Sequence, residues 1–319
     1  MATILVYATT ADGAPDEVTL QALTLARRIA GGGAVHAVLA GDEGAAAALG
    51  AYGAATVHVA LHEALSGAPD ARAAVIAGLA DRLAADMVVG PGSEDGNTVL
   101  ARVAARSGRP FAANCSVVTP GSPVTVTRQR WGGSLLEEAV IHADRAILSV
   151  APFAVTAEAA GGSASVETFT PELDPADLVV RVARRVEAAK GGISLADAKV
   201  VVSGGRGVGS TDGFAPIDDL AALLGAAVGC SRAVTISGWR SHTAQVGQTG
   251  TKIAPDLYIA AGISGATQHM AGCKASKKII AINKDAEAPI MTMADYAVIG
   301  DLHQVIPAIS AEIRRVRGA

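Results

Sequence analysis

Short β-branched runs alternate with alanine- and leucine-rich segments of helical length from the start of the chain to Ser107, and this alternation constrains the fold more than any other feature. Thr3 to Tyr7, Ala34 to Leu39, Thr56 to Val59 and Met87 to Val89 read as strands. Glu17 to Ala30, Ala45 to Leu49, Ala71 to Leu83 and Thr98 to Ser107 read as helices. Gly31, Gly32 and Gly33 stop the first helix, and Gly90-Pro91-Gly92 closes the strand that starts at Met87. Strands apolar on both faces and separated by helices predict an α/β fold with a mainly parallel, helix-covered sheet. From Val117 to Thr156 the helical segments disappear, so Val124 to Arg128 and Ala146 to Val150 predict an antiparallel edge.

A small, polar stretch from Ala157 to Ser165 follows, and Pro171, Asp174 and Pro175 break the pattern after it. Leu178 to Ala189 predicts a helix ended by Gly191-Gly192, which places a domain boundary near Gly192. The expected domains are therefore 1–192 and 193–319, and 319 residues suits two domains at about 100–200 residues each. In the second domain the expected strands are Lys199 to Ser203, Ala233 to Ser237, Leu257 to Ala261, Ile279 to Ile282 and Tyr296 to Gly300. Ile217 to Leu224, Ala266 to Gly272 and Leu302 to Val316 are the expected helices.

Composition narrows the function. Aromatic residues are 3% and the net charge is −4, without a Lys/Arg cluster, which argues against nucleic acid as a partner. The apolar stretches, such as Ala73 to Ala80 or Leu257 to Ile263, are far short of the ~20 residues that span a bilayer, so membrane insertion is not expected. Met1 to Ala8 lacks a basic leader region, and Asp12, Asp16 and Glu17 argue against an arginine-rich transit peptide. Cys115, Cys230 and Cys273 lie far apart, forming neither a disulfide framework nor a zinc motif, and a cytoplasmic location is the expectation.

In an open parallel sheet, ligands bind beyond the carboxyl ends of the strands, so the residues following each expected strand are read together. Ser203-Gly204-Gly205-Arg206-Gly207-Val208-Gly209 offers a close backbone approach to an anion plus a guanidinium, or else a simple tight turn. Gly229-Cys230-Ser231-Arg232 and Gln245-Val246-Gly247-Gln248-Thr249-Gly250 carry hydroxyls and amides able to read the edge of a neutral ring, or form a surface loop. Gly262-Ile263-Ser264-Gly265-Ala266-Thr267-Gln268-His269 opens a helix whose N–H groups suit a pyrophosphate, with His269 one turn inside. Asn283 and Asp301 follow the last two strands; Asp301 is either a ribose-holding acid or a helix cap. Together these groups describe a dinucleotide site. No nucleophile–base pair, metal spacing or paired carboxylates stand out, so the chemistry belongs to a cofactor.

These residues resemble the electron transfer flavoprotein alpha subunit family. The resemblance rests on VVSGGRGVGS (Val201 to Ser210), QVGQTG (Gln245 to Gly250), LYIAAGISGATQH (Leu257 to His269), AINKDAEAPI (Ala281 to Ile290) and ADYAVIGDL (Ala294 to Leu302). VTLQALTLARRI (Val18 to Ile29), AYGAATVHVA (Ala51 to Ala60) and the run from Ala85 to Phe111 match more loosely, so the likeness covers nearly the whole chain. It implies an N-terminal Rossmann-like α/β domain that contacts a beta subunit, and a C-terminal doubly wound parallel-sheet domain that binds FAD. By the same resemblance Arg206, Ser231, Arg232, Gln245, Val246, Gly247, Gln248, Thr249, Gly262, Ile263, Ser264, Gly265, Ala266, Thr267, Gln268, His269, Asn283, Asp301 and Leu302 match family FAD contacts. Thr249 looks like the hydroxyl beside flavin N5, His269 like the donor to the C2 carbonyl, Arg232 like the arginine near the ring, and Asp301 like the acid at the adenosine end. The family's role is to collect electrons from dehydrogenases, such as the acyl-CoA dehydrogenases of fatty acid β-oxidation, and to pass them to a quinone-linked oxidoreductase. A histidine N–H and an arginine charge would favour negative charge developing near N1 and the C2 oxygen.

The chain departs from the family pattern at Gly238 to Ala244, at Thr267 (where isoleucine is usual) and at Gly96-Asn97-Thr98 (where Gly-Arg-Asp is frequent). The first two lie close to the flavin position that the resemblance implies. Three other readings stand beside the main one. A bifurcating flavoprotein would carry a second FAD and its NADH site on the beta subunit. A deoxyhypusine-synthase-like enzyme would hold NAD in the same cleft and need a catalytic lysine or histidine, for which Lys252 and Lys274 offer no supporting context. A docking scaffold would keep only the fold.

Overall fold

A computed structural model describes residues 1–41, 43–133, 135–183 and 193–318. The chain divides into two compact units, Met1–Arg185 and Val186–Ala319. The expected boundary near Gly192 lies outside the described residues. Of the helix expected over Leu178 to Ala189, Leu178 instead ends the short 3-10 turn Pro175–Leu178, residues 179–183 are not helical, and residues 184–189 lie outside the described residues.

In the first unit the strands are β1 (Ile4–Ala8), a small antiparallel pair β2 (Thr10–Ala11) and β3 (Ala14–Pro15), β4 (Val35–Ala40), β5 (Thr56–Ala60), β6 (Met87–Pro91), β7 (Phe111–Thr119), β8 (Val124–Arg130), β9 (Leu135–Ile141), β10 (Ala146–Val150) and β11 (Ser165–Phe169). The helices are α1 (Glu17–Ala30), α2 (Ala46–Ala51), α3 (Pro69–Arg82) and α4 (Glu94–Ser107). Local chemistry sets the helix ends. Asp16 caps α1 by accepting from the Thr19 N–H, and Gly31, at φ 57°, ends it in the left-handed conformation. Helix α4 begins earlier than its apolar pattern indicates because Ser93 accepts from the Gly96 N–H at 3.0 Å.

The main sheet has nine strands in the order β11-β5-β4-β1-β6-β10-β7-β8-β9. It is parallel from β11 to β7, and β8 and β9 extend it antiparallel. An antiparallel edge is thus present, but Ala146–Val150 is not part of it. That strand lies between β6 and β7, parallel to both, with all five residues buried. Four of its five residues are apolar and Ser149 is buried with them, the signature of a strand covered on both faces, and this outweighed its position between two helix-free segments. Two buried clusters flank the sheet, one containing Ile4, Val6 and Leu148, the other Leu5, Tyr7 and Ile147.

In the second unit β12 (Val200–Gly204), β13 (Ala227–Cys230), β14 (Leu257–Ala261), β15 (Ile279–Asn283) and β16 (Tyr296–Ile299) form an all-parallel sheet ordered β13-β12-β14-β15-β16. Its helices are α5 (Ala215–Leu224), α6 (Arg232–Ile236), α7 (Thr267–Cys273), α8 (Pro289–Met293) and α9 (Leu302–Arg317). The expected strand at Ala233 to Ser237 is therefore helix α6, and the second strand lies just before it. β-Branched Val234, Thr235 and Ile236 favour a strand locally, but the pairing partner of β12 is the small-residue run Ala227–Cys230. A Cβ at Gly229 would stand 2.3 Å from the Ser203 hydroxyl, so that side chain packs directly on the glycine. Along β14, Tyr258 and Ala260 face a core shared with α7 and α8, while Ile259 and Ala261 face one shared with α5 and α9. Helices therefore cover both faces, and the strand order reverses between β12 and β14. That reversal opens a crevice at their carboxyl ends.

Candidate functional site

A cavity of about 620 Å³ opens at those carboxyl ends, within the size range of small-molecule sites. Its shape depends on contacts between loops. Gly205 donates its N–H to the Ala261 carbonyl at 2.8 Å and Gly207 donates to the Gly262 carbonyl at 3.0 Å. A Cβ at Gly205 would lie 2.2 Å from the Gly262 oxygen, and Gly262 itself stands at φ 63° against Gly207. These two amides are thus spent on joining the β12 and β14 loops, which is the tight-turn role of the motif. Arg206 is exposed at the cavity and has no carboxylate partner among the described residues. Arg232, the first residue of α6, is likewise exposed there without one.

The Gln245–Gly250 loop forms another wall. Gln245 is buried and fully engaged: its Oε1 accepts from Thr235 at 2.7 Å and its Nε2 donates to the Thr249 hydroxyl at 3.0 Å. Because Thr249 Oγ accepts that bond, its own proton is left for another partner. Gln248 donates its N–H to the Gln268 carbonyl at 2.7 Å, and a Cβ at Gly272 would lie 2.3 Å from the Gly247 nitrogen, so α7 presses directly on this loop. Asn283, at the end of β15, ties the Ile263 carbonyl at 3.0 Å to the Asp285 amide at 3.1 Å.

His269, on α7, lines the cavity and is 7% exposed. Burial pushes its pKa down to about 4, opposed in part by the Val246 carbonyl, so the ring is neutral near pH 7. Its Nε2 lies 2.7 Å from the Tyr258 hydroxyl, whereas Nδ1 is buried without a hydrogen bond of good geometry.

Of the expected site residues, Arg206, Ser231, Arg232, Gln245, Val246, Gly247, Gln248, Thr249, Gly262, Ile263, Ser264, Ala266, Gln268, His269 and Asn283 line this cavity. Gly265, Thr267, Asp301 and Leu302 are not among its lining residues. Gly265, at φ 80°, packs against Ile290, and Leu302 is buried in the core beneath Gly262. Asp301 caps α9 by accepting from the His303 N–H at 2.9 Å and pairs with Lys284 at 2.9 Å; that lysine, then the cap, hold its carboxyl below the usual range. Gly207, which the glycine-rich motif after the first strand already contained, also lines the cavity, as do Ala233, Asp285 and Ala288, which were not singled out from the sequence. Only Asp285, a polar residue just past a strand end, carried a usable signal. The described residues contain no group of three or more His, Cys, Asp or Glu side chains able to hold a metal.

Residues 4–174 match the family model described as the electron transfer flavoprotein domain, and residues 194–274 match the electron transfer flavoprotein FAD-binding domain. The chain belongs to the electron transfer flavoprotein alpha subunit family. It is 40% identical over 327 residues to the electron transfer flavoprotein subunit alpha of Mycobacterium tuberculosis, and 38% identical over 330 residues to that of Mycobacterium leprae, each alignment covering both chains in full. The Bacillus subtilis subunit alpha is 34% identical over 317 residues, 98% of each chain. The cofactor of this family is FAD, and the cavity lies partly within its FAD-binding domain and partly just beyond the matched residues, at Asn283, Asp285 and Ala288. The residues present suit that cofactor: two exposed arginines without a carboxylate partner among the described residues for its negative charge, and the Thr249 hydroxyl and a buried His269 ring nitrogen for the edge of a neutral heterocycle. No helix among the described residues is long and apolar enough to cross a membrane.

Proposed function

We propose that this chain is the FAD-bearing subunit of a heterodimer that takes electrons from dehydrogenases, such as those acting on acyl-CoA, and delivers them to a quinone-linked oxidoreductase. The observation that carries the reading is the single crevice holding Arg206, Arg232, Thr249 and His269 at the topological switch point of the second unit. Bound FAD supplies the redox chemistry; the chain's residues bind it, orient it and set its electrostatics. Arg206 and Arg232 supply positive charge that favours the reduced, more negative state as well as the phosphates. Thr249, its lone pair engaged by Gln245, offers its proton to the ring edge. His269 offers a neutral N–H donor rather than a cation, because burial keeps it unprotonated. The first unit contacts the beta subunit. Asp301, fixed between Lys284 and the start of α9, holds the adenosine end if the cofactor reaches beyond the cavity mouth.

Co-expression with the beta partner and a flavin count test this reading. One FAD per heterodimer supports a shuttle between dehydrogenase and quinone-linked oxidoreductase. Two FAD, with reduction by NADH, support the bifurcating alternative instead. A heterodimer that takes up NAD but no FAD would turn the assignment towards the NAD-binding reading.

A further inference from the structure

Tyr258 sits on the second residue of β14, fully buried among Met270, Cys273 and Ile279. It reaches across the sheet–helix layer to α7, where its hydroxyl lies 2.7 Å from His269 Nε2. The rings are tilted at 31°, with centroids 6.1 Å apart. At that distance one proton lies between oxygen and nitrogen, and both groups are neutral. Burial raises the phenol well above its usual pKa, and burial lowers the imidazole. A neutral phenol is a far stronger acid than a neutral imidazole N–H, so the phenol donates and Nε2 accepts. The ring's own proton then resides on Nδ1, which has no hydrogen bond of good geometry among the described residues.

We propose that Tyr258 is a positioning residue that locks His269 as the neutral Nδ1–H tautomer, so that the imidazole meets its ligand as a fixed hydrogen-bond donor. This rests on the reading of the crevice as the FAD site. It assigns to the core side of the sheet a part in setting the cofactor's electron affinity, because a donor of fixed direction is worth more to developing negative charge than one that must reorient. Tyr258 does not touch the cavity itself and acts only through His269.

The test uses the heterodimer with its beta partner, labelled with 15N-histidine, the His269 signal being identified by its loss in His269→Asn. The wild-type ring is expected to be neutral at pH 7, protonated at Nδ1 and bare but hydrogen-bonded at Nε2. In Tyr258→Phe, which keeps the ring volume, FAD content is expected to be unchanged. The tautomer signature should move towards protonated Nε2, and the fraction of flavin held at the one-electron level in a redox titration should fall roughly fivefold, the size of one neutral hydrogen bond. A wild-type ring protonated at Nε2, or at both nitrogens, overturns the proposal, as does a Tyr258→Phe variant with unchanged tautomer and redox titration. Should that variant not fold, the wild-type spectrum alone decides. Failure of the heterodimer to bind FAD would overturn the reading of the crevice, while the spectrum would still decide the tyrosine–histidine pairing.

Discussion

Replacing Gly205 by alanine isolates the loop-to-loop contact that shapes the crevice. Gly205 has φ −104° and ψ −168°, a conformation open to any residue, so the substitution carries no backbone penalty of its own. The added Cβ, however, would lie 2.2 Å from the Gly262 oxygen and 2.7 Å from both the Gly262 carbonyl carbon and the Ile263 Cα. All three are backbone atoms that no rotamer change can move. The β12 and β14 loops must therefore separate, and the hydrogen bonds from Gly205 to Ala261 and from Gly207 to Gly262 are strained or lost together. At about 0.5–1.5 kcal/mol each, those bonds account for roughly 1–3 kcal/mol, before any strain elsewhere. Gly225→Ala is the control: it has φ 60° and no atom within 4 Å, so only the left-handed penalty of about 1–2 kcal/mol applies. Thermal unfolding and FAD content of the purified heterodimer read the outcome. Gly205→Ala should lose FAD as well as stability, whereas Gly225→Ala should lose stability alone. Full FAD retention in Gly205→Ala would refute the claim that this contact forms the site.

Other consequences can be checked separately. Arg206→Ala and Arg232→Ala should each weaken FAD binding by about 10- to 150-fold, the equivalent of one charge-assisted hydrogen bond, as measured by flavin titration of the apo-heterodimer. His269 has a folded pKa of about 4 against an unfolded 6.5, so the unfolded state binds the extra proton between those values. Its contribution to stability is complete above pH 6.5 and lost as pH falls towards 4, an upper bound of about 3 kcal/mol; denaturant unfolding of His269→Asn should show a shallower acid slope than the parent. Arg240 stacks over Phe214 with its guanidinium 4.4 Å from the ring centroid and pairs with Asp218 at 2.6 Å, so Arg240→Ala should cost about 0.5–2 kcal/mol in thermal unfolding without loss of FAD. Cys115, Cys230 and Cys273 are buried, and burial pushes their thiols up to about 12, 11 and 12, so a thiol reagent should label none of them before unfolding.

The parallel sheets and most helices were legible because their signals are local: an apolar run, a cap such as Asp16, a left-handed glycine such as Gly31. Misplaced elements needed information from a distance. Ala146–Val150 has the apolar composition of a strand covered on both faces, but its place between β6 and β7 depends on pairing with segments distant in the chain. Val234 to Ile236 look like a strand, yet the place beside β12 is taken by Ala227–Cys230, whose small residues fit against Ser203. At the site, glycines and polar residues after strand ends were readable because a parallel sheet directs its strand ends to one crevice. What the glycines do there was not. Of the two readings the sequence left open at each place, Gly205 and Gly207 take the structural one, tying their loop to Ala261 and Gly262 of the β14 loop, and Asp301 caps a helix and pairs with Lys284 outside the cavity's lining. The Tyr258–His269 pair was also out of reach, since it forms only when α7 folds back over β14.

The central claim, that the crevice of the second unit holds FAD for electron transfer, is tested most directly by the flavin content of the heterodimer before and after Arg206→Glu. A yellow complex is expected, its flavin bound by this chain, reduced in two separable one-electron steps, and largely lost on charge reversal at Arg206. A colourless complex that takes up no added FAD, or one whose flavin content is indifferent to Arg206→Glu, would contradict it.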